Sequence, residues 1–281
     1  MDKYAPAYCA DLKINARHEG KSYEYVRPED RITIGFGRAG ILVFDDPERL
    51  MRKAESYLFG LLRSKPDSVI CFPTGDTFKP FYKHVSENYN GAGCSFRKSR
   101  VFSVDEYIGM GREDPGSYAK YMDKHLFSKV DVNRGNVTMP NGLAEVPAAE
   151  AEDYEKAISA AGGIDLLYLG VGINGHVGFN EPGSSFGSKT RVVGLSDSTI
   201  RTNSRFFGKG TVPEDAITIG MSTIFSAKQV VVLATGPSKA RIMREISYSG
   251  VTEELPATML KEHKNAVFLL DSDAGKGVRL S

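Results

Sequence analysis

The stretch Ile164–Arg191, IDLLYLGVGINGHVGFNEPGSSFGSKTR, decides the fold. Ile164–Leu169 is an apolar run whose length suits a strand buried on both faces, as in a sheet covered by helices on each side. The apolar pattern then stops. Gly170, Gly172, Gly175 and Gly178 follow, interleaved with Asn174, His176, Asn180 and Glu181 and closed by Pro182-Gly183. Glycine lets a loop turn tightly and bring its backbone close to a ligand. Directly after a buried strand is where doubly wound sheets bind ligands, so this loop puts an imidazole and a carboxylate at such a place.

Two plainer readings compete. Gly170-x-Gly172-x-x-Gly175 matches the dinucleotide fingerprint, but that motif needs a helix opening at its third glycine, and Asn180, Pro182, Gly183, Ser184 and Ser185 predict an early break. The loop could also be a surface turn with an incidental histidine. The rest of the chain decides between them.

Working outward, strand and helix signals alternate. Ile41–Phe44 reads as a strand, followed by Asp46-Pro47 as cap and first-turn proline of a helix with Leu50, Ala54, Leu58 and Leu61 on one face. Ser68–Phe72 is a strand ending in Pro73-Thr74-Gly75-Asp76-Thr77, after which Phe78, Phe81, Tyr82, Val85 and Tyr89 recur at helical spacing as a core-facing stripe. Arg100–Val104 is a strand ending in Asp105-Glu106-Tyr107. The pattern predicts a helix over Ser117–Phe127, a short strand over Val137–Met139, and a helix over Pro147–Ala161 closed by Gly162-Gly163. Gln229–Ala234 is a strand ending in Thr235-Gly236-Pro237-Ser238-Lys239, then a helix runs to about Tyr248; Asn265–Leu270 is the last strand.

This grammar predicts an α/β fold: a doubly wound, mainly parallel sheet with helices on both faces, Rossmann-like. The clusters TGDT, DEY, GHVGFNE and TGPSK all follow strands and so share the carboxyl edge, which weighs against an incidental turn. Residues 1–40 have no clear period apart from a short strand over Ile32–Phe36, and read as an N-terminal extension packing on a core of residues 41–281.

Composition bounds the partners. The 281 residues carry 36 Lys+Arg against 35 Asp+Glu, so no field for nucleic acid or a membrane surface is present, and an anionic ligand must be held by local residues. No apolar run approaches the roughly eighteen residues of a membrane span, and MDKYAPAYCADLK lacks the regions of a secretory signal; a soluble, cytoplasmic protein is expected. Cys9, Cys71 and Cys94 lack CxxC spacing, which argues against a disulfide framework or a zinc site.

Two clusters suit an oxyanion. Thr74–Thr77 and Thr235–Ser238 each lead into a helix, so backbone N–H groups and a positive helix end can face a phosphate, with Lys239 and Arg205 as sources of charge. The other two suit proton transfer. Asp105 and Glu106 are adjacent, so one of them reaches a pocket as general base, while His176, oriented by Glu181, is a second acid/base. A phosphate clamp, a carboxylate base and a histidine together suggest proton abstraction beside a carbonyl in a sugar phosphate, with no metal required.

PTGDT, VDEYIGM, the Ile164–Arg191 stretch, NSRFF, ITIGMSTI and ATGPSKA together resemble the glucosamine-6-phosphate deaminases in order and spacing, from about Ile41 to Asp271. The related 6-phosphogluconolactonases share the fold and a GxGxxGH turn. The resemblance implies conversion of glucosamine 6-phosphate and water into fructose 6-phosphate and ammonia, without a cofactor. It makes Asp105 the base moving a proton from C2 to C1, and His176 with Glu181 the ring-opening group. Gly75, Asp76, Thr77, Arg205 and Lys239 become the phosphate site, and about Arg191 to Asp215 a mobile lid.

Three departures from that pattern matter. The phosphate loop of the family usually reads PTGGTP, whereas Asp76 and Phe78 stand here, and a carboxylate beside a phosphate is repulsive. Asn174 stands where some members have an Asp beside the histidine, leaving Glu181 as its main partner. Of the Ser, Arg and Lys that bind N-acetylglucosamine 6-phosphate in allosteric members, Ser184 and Arg191 match while Val193 replaces Lys, so that activation is expected to be weak or absent. Galactosamine 6-phosphate is an alternative substrate, a lactonase or a non-catalytic sugar-phosphate sensor are alternative functions, and a homo-oligomer is an allowed assembly.

Overall fold

A computed structural model describes residues 17–18, 21–22, 31–204, 207 and 212–278. Its strands are β1 Arg31–Phe36, β2 Ala39–Phe44, β3 Val69–Phe72, β4 Arg100–Ser103, β5 Asp105–Tyr107, β6 Val137–Thr138, β7 Leu166–Gly170, β8 Arg191–Gly194, β9 Asp215–Thr218, β10 Val230–Ala234 and β11 Ala266–Asp271. The main sheet has eight strands in the order β1-β2-β11-β10-β7-β3-β4-β6, parallel throughout except for β1 against β2. The fold is therefore the doubly wound α/β arrangement expected from the sequence.

Successive strand residues point to opposite faces, and the core divides accordingly. Val69, Cys71, Leu167, Leu169, Val230 and Val232 face a layer that includes Ile158 and Ile242. Ile70, Phe72, Leu166, Tyr168, Val231 and Leu233 face a layer that includes Leu58, Phe81 and Leu126. Two-sided burial explains why β7 reads as an unbroken apolar run.

The first helix, α1 Pro47–Ser64, begins as its sequence predicts, with the Asp46 carboxylate accepting from Glu48 N at 2.8 Å. Its buried face runs Leu50, Met51, Ala54, Leu58, Phe59 and Leu62, so Leu61 is only half-buried. The stripe on α2 Phe78–Asn88 is core, with Phe78, Phe81, Tyr82 and Val85 buried. The helix expected over Ser117–Phe127 is α-helical only at α3 Tyr118–Met122 and widens to a π turn at Asp123–Phe127. Beyond it come α4 Pro147–Ala160, α5 Asp197–Asn203, α6 Met221–Phe225 and α7 Ala240–Tyr248.

One element departs from the sequence expectation. Asp105–Tyr107 does not simply end β4 but forms an edge strand of a separate antiparallel sheet, β8-β9-β5, in which Asp105 pairs with Thr218 and Tyr107 with Ala216. Three residues are too few for a periodic signal, and their partners lie more than a hundred residues away. At the other edge, β1 pairs with β2 within the main sheet and Phe36 is fully buried. The remainder of the expected 1–40 extension, apart from the short pair Arg17–His18 and Lys21–Ser22, lies outside the described residues.

Candidate active site

The carboxyl ends of β3, β7 and β10 open into a cavity of about 530 Å³. Five separate segments line it: Pro73–Phe78, Asp105 with Tyr118, Gly170–Phe179, Ser198–Asn203 and Thr235–Lys239. Of the residues singled out in the sequence, Gly75, Asp76, Thr77, Asp105, Asn174, His176 and Lys239 meet there. Glu181 stands behind them, and Arg205 lies outside the described residues.

Asp105 is held by the side sheet, is only 5% exposed, and its Oδ1 has no hydrogen-bond partner among the described residues. Burial, reinforced by the neighbouring Glu106, pushes its carboxyl well above the usual range. An unpaired buried carboxylate oxygen on a cavity wall is costly unless a ligand uses it. The adjacent Glu106 points elsewhere: Oε1 accepts from Tyr118 N at 2.8 Å and Tyr107 N at 3.0 Å, and Oε2 from Ala119 N at 2.8 Å. It anchors α3, and burial raises its carboxyl to about 7 against the pull of those three N–H groups.

Glycine is required twice around the histidine. A Cβ on Gly172 would fall 2.2 Å from His176 Cε1, and one on Gly178, where φ is +56°, would fall 2.7 Å from Val104 Cγ1 and 3.0 Å from Thr218 Oγ1. His176 Nδ1 lies 3.5 Å from Glu181 Oε2, an ion-pair separation rather than a hydrogen bond, and is buried without a hydrogen-bond partner among the described residues. Asn174 ties the group together, donating from Nδ2 to Glu181 Oε2 at 2.7 Å and accepting from His176 N at 3.2 Å. Thr199 donates to the other Glu181 oxygen. Burial alone would raise the Glu181 carboxyl; His176, Thr199 and Asn174 outweigh it and hold the group at about 2.

The two loops expected to face an oxyanion line the same cavity. Thr77 immediately precedes α2 without a side-chain capping hydrogen bond, Gly75 has φ of +110°, and the Gly75 carbonyl accepts from Tyr121 OH at 2.6 Å. The Asp76 carboxylate pairs with Lys79 Nζ at 2.7 Å, so the negative charge that departs from the family pattern is met by an ammonium one turn along. Lys239 Nζ donates to Val171 O at 2.7 Å, fixing the cation beside the cavity. Ser184 and Arg191 also meet, Arg191 donating to Ser184 Oγ at 3.2 Å and to Asn180 Oδ1 at 2.8 Å. Among the described residues, no three His, Cys, Asp or Glu side chains are grouped as metal ligands.

Sequence reading passed over Tyr118 and the helix α5. Tyr118 OH donates to Tyr107 OH at 3.1 Å, and Asn203 Nδ2 donates to the same oxygen at 2.8 Å. The signal for α5 was present: Ser196 caps it by accepting from Thr199 N at 3.3 Å, an S-x-x-T start that the residues themselves display.

Known proteins resemble this chain along most of its length. Residues 45–269 match the family described as glucosamine-6-phosphate isomerases/6-phosphogluconolactonase. A glucosamine-6-phosphate deaminase of Clostridium botulinum is 39% identical over 241 residues, covering 85% of this chain and 99% of that protein. One from Geobacillus sp. is 42% identical over 228 residues, covering 81% and 91%. A solved structure described as a monomeric glucosamine-6-phosphate deaminase superposes with a TM-score of 0.82 at 34% identity, covering 84% of this chain and 99% of that one. The 6-phosphogluconolactonase of Thermotoga maritima shares the fold, with a TM-score of 0.67 at 20% identity and 83% and 99% coverage. The chain belongs to the glucosamine-6-phosphate isomerase/6-phosphogluconolactonase family.

Proposed function

We propose that the protein converts glucosamine 6-phosphate and water into fructose 6-phosphate and ammonia. The observation that carries this reading is the Asp105 carboxylate, buried and with an unpaired oxygen, on the wall of a cavity that also holds His176 and an oxyanion-type loop. A carboxyl raised by burial is a competent base near neutral pH. The similar proteins of known name supply the substrate class.

In this proposal His176, oriented by Glu181 and Asn174, moves the proton that opens the pyranose ring. Asp105 then takes the C2 proton of the open-chain amino aldose and returns it at C1. Removal of the C2 proton gives the enolamine, its return at C1 leaves an imine at C2, water adds to that carbon, and ammonia leaves. The balance needs only water, so no electron carrier enters. The loop Gly75–Thr77, Lys239 and Arg205 hold the phosphate, and the segment from about Arg191 to Asp215 closes over the sugar. The homo-oligomer and the cytoplasmic location expected from the sequence belong to this proposal, as does the 1–40 extension. Sedimentation velocity tests the first, against the similar solved chain described as monomeric.

The direct test is ammonia release by purified protein from glucosamine 6-phosphate, run beside galactosamine 6-phosphate without added metal or cofactor. Release from the gluco epimer is expected. Release from the galacto epimer alone would reassign the substrate, and hydrolysis of 6-phosphogluconolactone without any ammonia release would replace the reaction.

A further inference from the structure

The loop Pro73–Phe78 on the wall of the catalytic cavity is held from behind by two tyrosines. Tyr82, fully buried on α2, donates its hydroxyl to Pro73 O, and Tyr121, half-buried on α3, donates to Gly75 O at 2.6 Å. Neither tyrosine is among the residues that line the cavity. Gly75 O also accepts from Phe78 N at 3.1 Å, the bond that opens α2, so the Tyr121 hydroxyl takes the carbonyl's second lone pair. The start of the helix does not need that second donor. Burial, and then the Asp76 carboxylate, push the Tyr121 phenol above its usual range, so it remains a donor near neutral pH. Its ring is seated against His125 with centroids 4.5 Å apart, and edge-on to Tyr82 at 6.3 Å.

We propose that Tyr121 is a positioning residue for the anion end of the catalytic site: it fixes the Gly75–Asp76 peptide with its carbonyl turned out of the cavity and its N–H turned in. A peptide unit is planar and trans, so its C=O and N–H point in opposite directions. A carbonyl pinned to a hydroxyl behind the loop therefore aims Asp76 N–H at the cavity that Gly75, Asp76 and Thr77 line. The same holds for Pro73 O, pinned by Tyr82, and Thr74 N–H. Donors fixed before an anion arrives lose little freedom on binding it. Tyr121 also sets where the anion lies relative to the base. Glu106, beside Asp105 on β5, accepts from Tyr118 N and Ala119 N at the start of α3, and Tyr121 follows on the same short helix. The strand that carries Asp105 and the loop that meets the phosphate are thus joined through α3. This assignment rests on the phosphate role proposed above for Gly75–Thr77.

Tyr121→Phe keeps the ring and removes only the hydroxyl. Inorganic phosphate and fructose 6-phosphate are titrated into wild type and variant at constant ionic strength, followed by phosphorus magnetic resonance, with thermal unfolding as the check on the fold. The variant should melt within about 4 °C of wild type. It should bind both ligands about 3–10-fold more weakly, and by the same factor, because both are held through the phosphate. In the ammonia assay KM should rise by a similar factor while kcat changes less than about twofold, the pattern of lost uniform binding. Equal affinities in the two proteins would overturn the role. So would weaker binding of fructose 6-phosphate alone, which would place the effect at the sugar, or a larger drop in melting temperature, which would make the hydroxyl a support of the fold. Binding requires no turnover, so the two readings fail separately. Weaker binding of both ligands without ammonia release from either epimer would replace the reaction and leave Tyr121 in its role; equal binding with ammonia release would do the reverse.

Discussion

Asp105 and Glu106 are neighbours with opposite fates, and the difference follows from strand geometry. Alternation along β5 sends one carboxylate to the cavity and the other to the backbone of α3. That one of the pair reaches the pocket was legible in the sequence; which one was legible only through family resemblance, because adjacency alone carries no direction. Replacing Asp105 with Asn keeps the volume and removes the base, so kcat should fall by about 10²–10⁴-fold with product affinity changed little. Unchanged turnover would end its assignment. Because the carboxyl is raised, the base becomes protonated, and the rate lost, at a higher pH than an ordinary carboxylate would allow. Glu181 behaves oppositely. Its folded value of about 2 lies below the ordinary 4.5, so its contribution, on the order of 3 kcal/mol, is fully present above about pH 4.5 and is lost as pH falls towards 2. Urea unfolding should show Glu181→Gln destabilised at pH 7, with the gap to wild type narrowing through that window; a gap independent of pH would contradict the assigned contacts.

At the scale of elements, the long strands and the capped helices were readable and the short pieces were not. Asp46-Pro47 announced α1 because cap and first-turn proline are local chemistry, whereas β5, β8 and β9 have three or four residues each and acquire strand geometry from one another. The side sheet matters because it mounts Asp105, and α3 matters because it presents Tyr118 to the cavity. Glu106 joins the two, accepting from Tyr118 N and Ala119 N of α3 and from Tyr107 N of its own strand. Glu106→Ala leaves those donors buried and unpaired and should cost about 2–4 kcal/mol in denaturant unfolding. A loss under about 0.5 kcal/mol would mean that α3 is held by its packing alone. The sign of the pH dependence is fixed by the raised value of about 7: the folded state holds the proton more tightly, so wild-type stability falls as pH rises from about 4.5 to 7. Glu106→Gln should flatten part of that fall, the remainder belonging to Asp105, which is shifted in the same direction.

For the molecule as a whole, the sheet acts as an alignment device. Parallel strands put all their carboxyl ends on one edge, so segments far apart in sequence converge on a single cavity without any one of them being long. That convergence was legible because it depends only on the alternation of strands and helices; the closing contributions of α5 and Tyr118 were not, since they approach from outside the main sheet. A ligand that fills the cavity must therefore stabilise all five segments together. At a hundred times its Kd, fructose 6-phosphate should raise the unfolding free energy by about 2.7 kcal/mol. Hydrogen exchange should slow in Pro73–Phe78, Gly170–Phe179, Ser198–Asn203 and Thr235–Lys239 alike, and around Asp105 and Tyr118. The slowing in Ser198–Asn203 is the most telling part, because that helix contacts the rest of the site through Thr199–Glu181 and Asn203–Tyr107 and gains most from a bound sugar. Protection confined to the two oxyanion loops would mean that the cavity binds phosphate without assembling around the sugar, and the proton-transfer groups would then have to be sought in another arrangement of the same loops.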